Sequence, residues 1–291
     1  MTMLKSTQFT TPEKIGAELN KASVLVEALP YIKKYHEKII VVKFGGNAMD
    51  SMEHVIEDIV LLKRIGLLPV VVHGGGPDID KELVKKGAVP KFINGLRYTD
   101  SETVKIVEEV FLRINAEIVS RIRAHGAKAV NARGSIKVRK KSEKFGFVGE
   151  ITSVNRARLL RTIKSRFIPV ISPLGIGQGG EKYNINADTA AAHIAVALKA
   201  EKLTILTNVD GVNIGGKLLS HINFRTAKSE IKRGNISKGM IPKVEACIYA
   251  VQKKCPKAHL INGLIPHSIL LEIFTDKGIG TEIVYKNGDA E

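Results

Sequence analysis

Hydrophobic positions along this chain alternate between two periods, and each change of period marks an element. Ile39-Ile40-Val41-Val42 is an uninterrupted block of β-branched aliphatics, which predicts a strand buried on both faces of a parallel sheet. Lys43 follows at its carboxyl end. Gly45 and Gly46 come next and allow a tight turn beside a ligand. Leu67-Leu68-Pro69-Val70-Val71-Val72 repeats the design and runs into His73-Gly74-Gly75-Gly76-Pro77. Ligands of open α/β sheets collect at the carboxyl ends of the strands. The two glycine turns and Lys43 therefore define one candidate edge.

Ahead of the first strand, Ile15, Leu19, Ala22, Val26 and Leu29 recur at helical spacing and predict an amphipathic helix over 12–34, kinked at Pro30. The sheet does not need this helix, so its apolar face wants a partner. Residues up to Thr11 read as disordered. After the first strand a helix is expected over 51–65, with Asp50 and Glu53 at capping-box spacing. Strand 68–72 and helix 77–86, ended by Gly87, follow. A hairpin over 91–99 turns at Asn94-Gly95. Thr99 and Glu102 then open a long helix whose stripe of Val104, Val107, Phe111, Ile114, Ile118 and Ile122 suits a core or a subunit interface. Residues 129–147 read as a hairpin at the sheet margin, followed by helix 155–166 and strand 167–172. A lobe boundary is placed at Gly175 to Gly180. Beyond it come helix 188–199, strand 203–207, a glycine-rich hairpin over 210–216, helices 226–233 and 242–254, strand 258–261, helix 267–274 and strand 282–285. Strands alternating with helices predict a three-layer α/β/α sandwich around a mainly parallel sheet. Its parts are an N-terminal helical extension (1–36), a first lobe (37–180) and a second lobe (181–291).

Composition narrows the function classes. The chain has 291 residues, 44% of them hydrophobic, enough for one large domain or two joined lobes. No apolar run approaches the ~18 residues of a membrane span. The formal net charge of +16 has three readings: attraction of anionic small molecules such as nucleotides, binding of nucleic acid or an acidic protein, or drift on a solvated surface. The densest basic clusters, 137–141 and 156–166, lack the interleaved aromatics of single-strand binders. Neither nucleic acid nor a membrane is expected as a partner. Cys247 and Cys255 have no further Cys or His at ligand spacing, so no disulfide framework or zinc site is assigned, and no metal ligand elsewhere. The first arginine is Arg64, and no signal-peptide core precedes it. The expected location is the cytoplasm, or the chloroplast stroma for a plastid-encoded chain.

Gly175-Ile176-Gly177-Gln178-Gly179-Gly180 matches the dinucleotide fingerprint. That fingerprint needs a helix opening directly on the glycines, yet residues 181–186 intervene, and no acidic residue ends the next strand at the expected distance. A dehydrogenase is not supported, and a Walker A motif is absent. Phosphoryl transfer needs fixed cations, backbone N–H groups and Mg²⁺ around the transferring group. Lys43 with Gly45, Gly46, Gly74, Gly75 and Gly76 supplies a cation and a backbone cradle. Lys243, following Gly239-Met240-Ile241-Pro242, supplies a second cation, and Asp188 opens a helix where it can hold both.

Five segments now carry a resemblance. Val42-Lys43-Phe44-Gly45-Gly46-Asn47-Ala48-Met49, Val72-His73-Gly74-Gly75-Gly76-Pro77, Asn94-Gly95-Leu96-Arg97, Tyr183-Asn184-Ile185-Asn186-Ala187-Asp188 and Gly239-Met240-Ile241-Pro242-Lys243 stand in family order. From about Ser23 onward the chain resembles the acetylglutamate kinases of the amino acid kinase superfamily. The resemblance implies transfer of the γ-phosphoryl of ATP, with Mg²⁺, to the side-chain carboxylate of N-acetyl-L-glutamate. It implies Lys43 and Lys243 as stabilisers of the transferring group and Asp188 as the residue that orients them. Gly74, Gly75, Arg97 and Asn184 are implied for the acyl amino acid in the first lobe. Gly45, Gly46, Gly76, Asn208, Asp210, Gly211, Asn213 and Ser237 are implied for the phosphates and nucleotide.

The helix before the first strand resembles the arginine-sensitive branch, which implies a hexamer built as a trimer of dimers and arginine as inhibitor. Tyr31, His259, Glu272, Gly278 and Gly280 match the effector positions. A PII-type nitrogen signal protein is a further implied partner. Two departures stand out: Asn208 replaces the family's usual aspartate, and the segment 131–135 is shorter than usual. Two rivals accompany this reading, a kinase of a related acylated amino acid such as an aminoadipate derivative and a non-catalytic sensor on the same scaffold. Retention of Lys43, Asp188 and Lys243 together argues against the sensor, which has no need of paired cations across a cleft.

Overall fold

The computed structural model describes residues 12–46, 51–275 and 278–285, with side chains from Leu19 onward. The segment expected to be disordered and the Asp50 half of the predicted capping box lie outside these residues. In chain order, α1 (Pro12–Tyr35) precedes β1 (Ile39–Phe44), α2 (Met52–Arg64), β2 (Leu68–His73) and α3 (Gly76–Lys85). A hairpin of β3 (Phe92–Ile93) and β4 (Leu96–Arg97) leads to α4 (Ser101–Ala124). Then come β5 (Ala129–Asn131), β6 (Ile136–Lys140), β7 (Gly149–Val154), α5 (Arg156–Lys164) and β8 (Ile168–Ile171). β9 (Leu174–Ile176), β10 (Lys182–Asn184), α6 (Ala187–Leu198) and β11 (Lys202–Thr207) follow. The chain continues with β12 (Asn213–Ile214), β13 (Lys217–Leu218), β14 (His221–Asn223), α7 (Phe224–Lys232) and α8 (Met240–Gln252). It closes with β15 (Lys257–Asn262), α9 (Ser268–Ile273) and β16 (Thr281–Val284).

Eight strands make the central sheet, in the order β14-β16-β15-β11-β1-β2-β8-β5. Every pairing is parallel except β15 with β16. The uninterrupted β-branched run of β1 is explained by its central place. Val42 pairs with Thr204 on one side and Val71 on the other, and Ile40, Val41, Val42 and Phe44 are fully buried. One apolar core, including Ala191, Ile194 and Val244, covers one face through α6 and α8. The other, including Ile59, Ile114 and Ile118, covers the opposite face through α2 and α4. The result is the expected three-layer sandwich. Strands from the two predicted lobes meet at the β1–β11 pairing, so both halves share one sheet.

Three local expectations change. Residues 129–147 are not one hairpin: β5 is the edge of the central sheet, while β6 joins a separate four-stranded sheet in the order β10-β9-β6-β7. The glycine run at 175–180 starts within β9 and turns from it into antiparallel β10, which also accounts for its failure as a dinucleotide fingerprint. The long helix α4 is capped by Asp100, whose side chain accepts the Thr103 N–H at 2.8 Å, because Thr99 is buried and donates to the Arg97 carbonyl instead. Likewise α2 has Ser51 at its N-cap with no side-chain cap bond, and Glu53 faces Arg121 and His125. No helix among the described residues is long and apolar enough to cross a membrane.

Candidate active site

The carboxyl ends of β1 and β2 bring the two glycine turns into backbone contact. Gly74 N–H donates to the Phe44 carbonyl at 2.8 Å. Gly45 has φ of +157° and passes so close that a Cβ on it would lie 2.6 Å from Gly74 Cα. The chain then enters α3, whose N-cap is Gly75 and whose first turn has no side-chain cap. Unpaired N–H groups at such a terminus attract anions. Behind the turn, His73 is fully buried, with Nδ1 2.8 Å from the Gly74 carbonyl oxygen and Nε2 2.9 Å from Ser172 Oγ. Asn115 donates to the Ser172 hydroxyl and the Val170 carbonyl. Burial pulls the His73 pKa down to about 4, so near neutral pH this imidazole is uncharged and braces the turn.

Three charged groups meet above that turn. Lys43 Nζ lies 2.7 Å from Asp188 Oδ1 in an ion pair, and Lys243 Nζ donates to Asp188 Oδ2 at 2.8 Å. Asp188 sits in the first turn of α6, next to the Asn186 cap that accepts the Thr189 N–H. Lys243 comes from the first turn of α8. The Lys43 and Asp188 side chains are 7% and 5% exposed, against 21% for Lys243, so the first pair is dry and the second lysine stands at the mouth. Burial works to raise the Asp188 pKa, but the two lysines outweigh it and hold the carboxyl below its ordinary range. Burial, with Lys243 adding to it, pulls the Lys43 pKa down against the pull of Asp188. One carboxylate between two ammonium groups leaves a net positive cleft that an incoming anion completes.

The cleft measures about 280 Å³. Lys43, Asp188, Lys243, Gly45, Gly46, Gly74, Gly75, Gly76, Arg97 and Asn184 all line it, so the structure brings ten of the sequence-predicted residues together. Arg97 is held in place by contacts that sequence reading missed. Its Nη1 donates to Asp80 Oδ1 at 2.6 Å, its Nη2 to the Gly76 carbonyl at 3.2 Å, and its guanidinium stands 4.8 Å from the Phe92 ring centroid. Asn184 donates to Thr99 Oγ1 at 3.3 Å.

The five residues assigned to the second-lobe nucleotide contacts lie elsewhere, on the loops after β11 and α7 and at the start of β12. Asn208, Asp210, Asn213 and Ser237 are exposed, and none of the five lines this cleft. Asn262, at the end of β15, donates to Asp210 Oδ1 at 2.8 Å. Gly211 is needed sterically, since a Cβ there would lie 2.5 Å from Thr281 Oγ1.

Tyr31, His259, Glu272, Gly278 and Gly280 line one pocket of about 170 Å³ between α1 and the end of the chain. Tyr31 and Phe274 meet edge to face at 6.3 Å. His259 Nδ1 lies 2.5 Å from Glu272 Oε1, and Lys202 Nζ donates to the same oxygen at 3.3 Å. Burial works to raise the Glu272 pKa, yet His259, Lys202 and the Ile279 N–H together bring it down to about 2. Glu282, unrecognised in the sequence, is a second carboxylate here, 2.9 Å from Lys257 Nζ.

The amino acid kinase family matches residues 38–262, a span that includes both lysines, Asp188 and both glycine turns. The chain belongs to the amino acid kinase family. It is 49% identical over 285 residues to the acetylglutamate kinase of Thermoanaerobacter pseudethanolicus, covering 93% of this chain and 95% of that one. It is 48% identical to the acetylglutamate kinase of Desulforamulus reducens, covering 91% and 98%. Among solved structures, N-acetylglutamate synthase from Neisseria gonorrhoeae, complexed with coenzyme A and L-arginine, superposes with a TM-score of 0.82 at 25% identity. That match covers 91% of this chain and 65% of the synthase chain.

Proposed function

We propose that the chain transfers the γ-phosphoryl group of ATP to the side-chain carboxylate of N-acetyl-L-glutamate, releasing ADP and an acyl phosphate, as a step of arginine biosynthesis. The observation that carries this reading is the pair of lysines bridged by Asp188 above two abutting glycine turns. Two anions must meet in line at about 3–3.5 Å. At that distance two unit charges repel by roughly 5 kcal/mol at an effective dielectric constant of 20. Lys43 and Lys243 offset that repulsion and take up charge that spreads onto the equatorial oxygens. Asp188 keeps both ammonium groups oriented without reorganisation. The uncapped start of α3, from the Gly75 N–H onward, offers N–H groups to a carboxylate or phosphate oxygen, while the Gly74 N–H is engaged by the Phe44 carbonyl. Asp188 is the one carboxylate among the described residues that line the cleft, and both its oxygens are engaged by lysines. The residues present therefore suit a Mg²⁺ that arrives on the ATP phosphates as part of the substrate. The loops after β11 and α7 and the start of β12, with Asn208, Asp210, Gly211, Asn213 and Ser237, are assigned to the rest of the nucleotide. The second half of the chain is accordingly its nucleotide lobe, and 37–180 its acyl amino acid and dimerisation lobe. Trapping the acyl phosphate as a hydroxamate tests the reaction across N-acetylglutamate, glutamate, aspartate and N-acetylaminoadipate. N-acetylglutamate should dominate by kcat/KM, and dominance of N-acetylaminoadipate would transfer the assignment to the longer substrate.

Arg97 is assigned to the α-carboxylate of the substrate. Arg97→Lys is expected to raise KM for N-acetylglutamate by about 10–100-fold, the cost of roughly 1.5–3 kcal/mol in charge-assisted bonds, with KM for ATP unchanged. Asp80→Asn should move the same parameter less, since Asp80 acts by positioning the guanidinium. A fall in ATP affinity instead would place this hairpin on the nucleotide side.

The pocket lined by Tyr31 and Glu272 is assigned to arginine as feedback inhibitor. A buried carboxylate, Glu272, a half-buried one, Glu282, and close glycines suit a guanidinium, and the synthase named above was solved with L-arginine. The exposed apolar residues of α1, Leu25 at 70% and Leu19 at 60%, support its use in joining dimers into a hexamer. Deleting residues 1–28 should leave an active dimer with a much weakened arginine response, read by light scattering and an arginine titration. A truncated enzyme that stays hexameric and equally sensitive would remove both assignments. The relatives named above are bacterial, which favours a bacterial cytoplasm over a chloroplast stroma. The PII-type partner rests on the resemblance alone.

A further inference from the structure

A second cluster of metal-ligating groups lies away from the cleft, where α2 meets the start of α9. His54 and Glu57 stand three residues apart on α2 and face the same way, with His54 Nδ1 3.5 Å from Glu57 Oε2. His267 reaches the same oxygen from the other side, its Nε2 3.9 Å away. The two imidazole rings lie edge to face with centroids 4.8 Å apart. The three donor atoms fall within 4.8 Å of one another. We propose that His54, Glu57 and His267 form a binding site for a divalent transition-metal ion of the zinc type, clamping α2 to α9.

Four observations favour a metal over an ordinary surface ion pair. First, His54 Nδ1 is a buried nitrogen with no hydrogen-bond partner among the described residues, although it faces a carboxylate oxygen. A ring nitrogen left without a partner in that position costs free energy unless something fills the gap. Second, His267 Nδ1 lies 2.7 Å from Asp58 Oδ1, and Asp58 is 1% exposed. The other Asp58 oxygen accepts the Ile269 N–H at 3.2 Å, so the carboxylate cannot swing away. A carboxylate on one ring nitrogen fixes the proton there and leaves the opposite nitrogen, Nε2, as a free donor to a metal. Third, His267 adopts φ of +54°, a strained backbone for a side chain of this size, and that conformation turns its ring toward α2. Fourth, the distances are close to those needed. Tetrahedral Zn²⁺ with bonds of about 2.0–2.1 Å places its donors roughly 3.3 Å apart, which the observed 3.5 and 3.9 Å reach by small side-chain rotations.

Two histidines and a carboxylate are a recurrent zinc donor set, with solvent or a further ligand completing four-coordination. His54, Glu57 and His267 are each 42–45% exposed at the side chain, so an ion can enter and the fourth position is open to water. A neighbouring group, Glu53, Glu57 and His125, also brings its donors together, but it is a poorer candidate. His125 Nε2 is already 2.6 Å from Glu53 Oε1, and the Arg121 guanidinium, 2.8 Å from Glu53 Oε2, repels a cation there. Clamping has a structural consequence, because α9 carries Glu272 at its other end. An ion at its N-terminal side ties α2 to the helix that forms one wall of the pocket facing Tyr31.

Zinc and cobalt titrations of the full, metal-stripped chain test the site. Isothermal calorimetry should find one tight Zn²⁺ site per chain, and Co²⁺ should give the intense visible absorption of a four-coordinate centre. His54→Gln and His267→Asn should each abolish both signals. Asp58→Asn, which leaves all three ligands in place, should weaken binding about 10–100-fold. The exposed Glu57→Gln provides a variant with the least risk to folding, checked by circular dichroism, and should also lose the site. His125→Gln should leave binding unchanged. Equal affinity in the wild type and the His54 and His267 variants, or loss of binding in His125→Gln alone, would overturn the assignment.

Discussion

Replacing Lys43 with alanine lowers kcat by about 10²–10³-fold while KM for either substrate changes little. A fixed donor that acts on charge developing in the transition state contributes to kcat on this scale when it is removed. Lys43 fits that description better than Lys243. It is the drier of the two and is fixed on the central strand β1, whereas Lys243 stands at the mouth on a helix. Its ammonium cannot wander, because Asp188 Oδ1 is 2.7 Å away and strand backbone holds its stem on both sides. The ground-state substrates keep their other contacts, including the glycine N–H groups and Arg97, which accounts for the nearly constant KM. Initial rates over both substrates, with circular dichroism to verify folding, provide the measurement. Wild-type kcat in the variant would remove Lys43 from the mechanism, and a raised KM at constant kcat would reduce it to a binding residue. Asp188→Asn should lose activity for a related reason, since it leaves the buried Lys43 ammonium and the half-buried Lys243 ammonium facing a neutral amide.

The fold and the cleft were legible in the sequence wherever long apolar periods met glycine. β1 and β2 are central parallel strands, so their β-branched runs were uninterrupted. The turns after them needed Gly45 and Gly74, so glycine marked the site. Lys43, Asp188 and Lys243 stand at element ends, where side chains converge across a sheet edge. Short elements were less legible. β9, β10 and β14 have three residues each, too few for alternation to show, and their role is set by pairing partners far away in the chain. The β5 and β6 strands lie close in sequence yet belong to different sheets, and no local pattern separates them from a hairpin. Residues that act through others were missed for the same reason. Asp80 supports Arg97 from 17 positions away, and His73, Asn115 and Ser172 form one network from three separate segments of the chain. The His54, Glu57 and His267 cluster is the extreme case, since only folding joins α2 to a residue more than two hundred positions later.

Gly45→Ala should cut kcat/KM by at least about 10²-fold and destabilise the fold, whereas Gly46→Ala should be far milder on stability. The two glycines are adjacent, and both have positive φ, +157° and +63°. Among the described residues, only at Gly45 would an added Cβ meet another chain segment. A Cβ at Gly45 would lie 2.6 Å from Gly74 Cα and 2.7 Å from Gly74 N, well inside the ~3.5 Å at which carbon atoms stop repelling. Both contacted atoms are backbone, so relief requires one turn to slide against the other rather than a side chain to rotate. Overpacking of this kind costs about 1–3 kcal/mol. The slide also displaces the Gly74 N–H from the Phe44 carbonyl and with it the start of α3. A shift of about 1 Å in a positioned group costs roughly 10²-fold in rate. At Gly46 nothing among the described residues lies within 4 Å of an added Cβ. Its penalty is the backbone strain of a left-handed alanine, about 1–2 kcal/mol. Comparing the two variants by thermal melting and steady-state kinetics separates the effects. If Gly45→Ala retains wild-type kcat/KM, the contact between the turns does not position the reacting groups. If Gly46→Ala instead proves the more damaging to stability, strain rather than close approach is what glycine relieves at this turn.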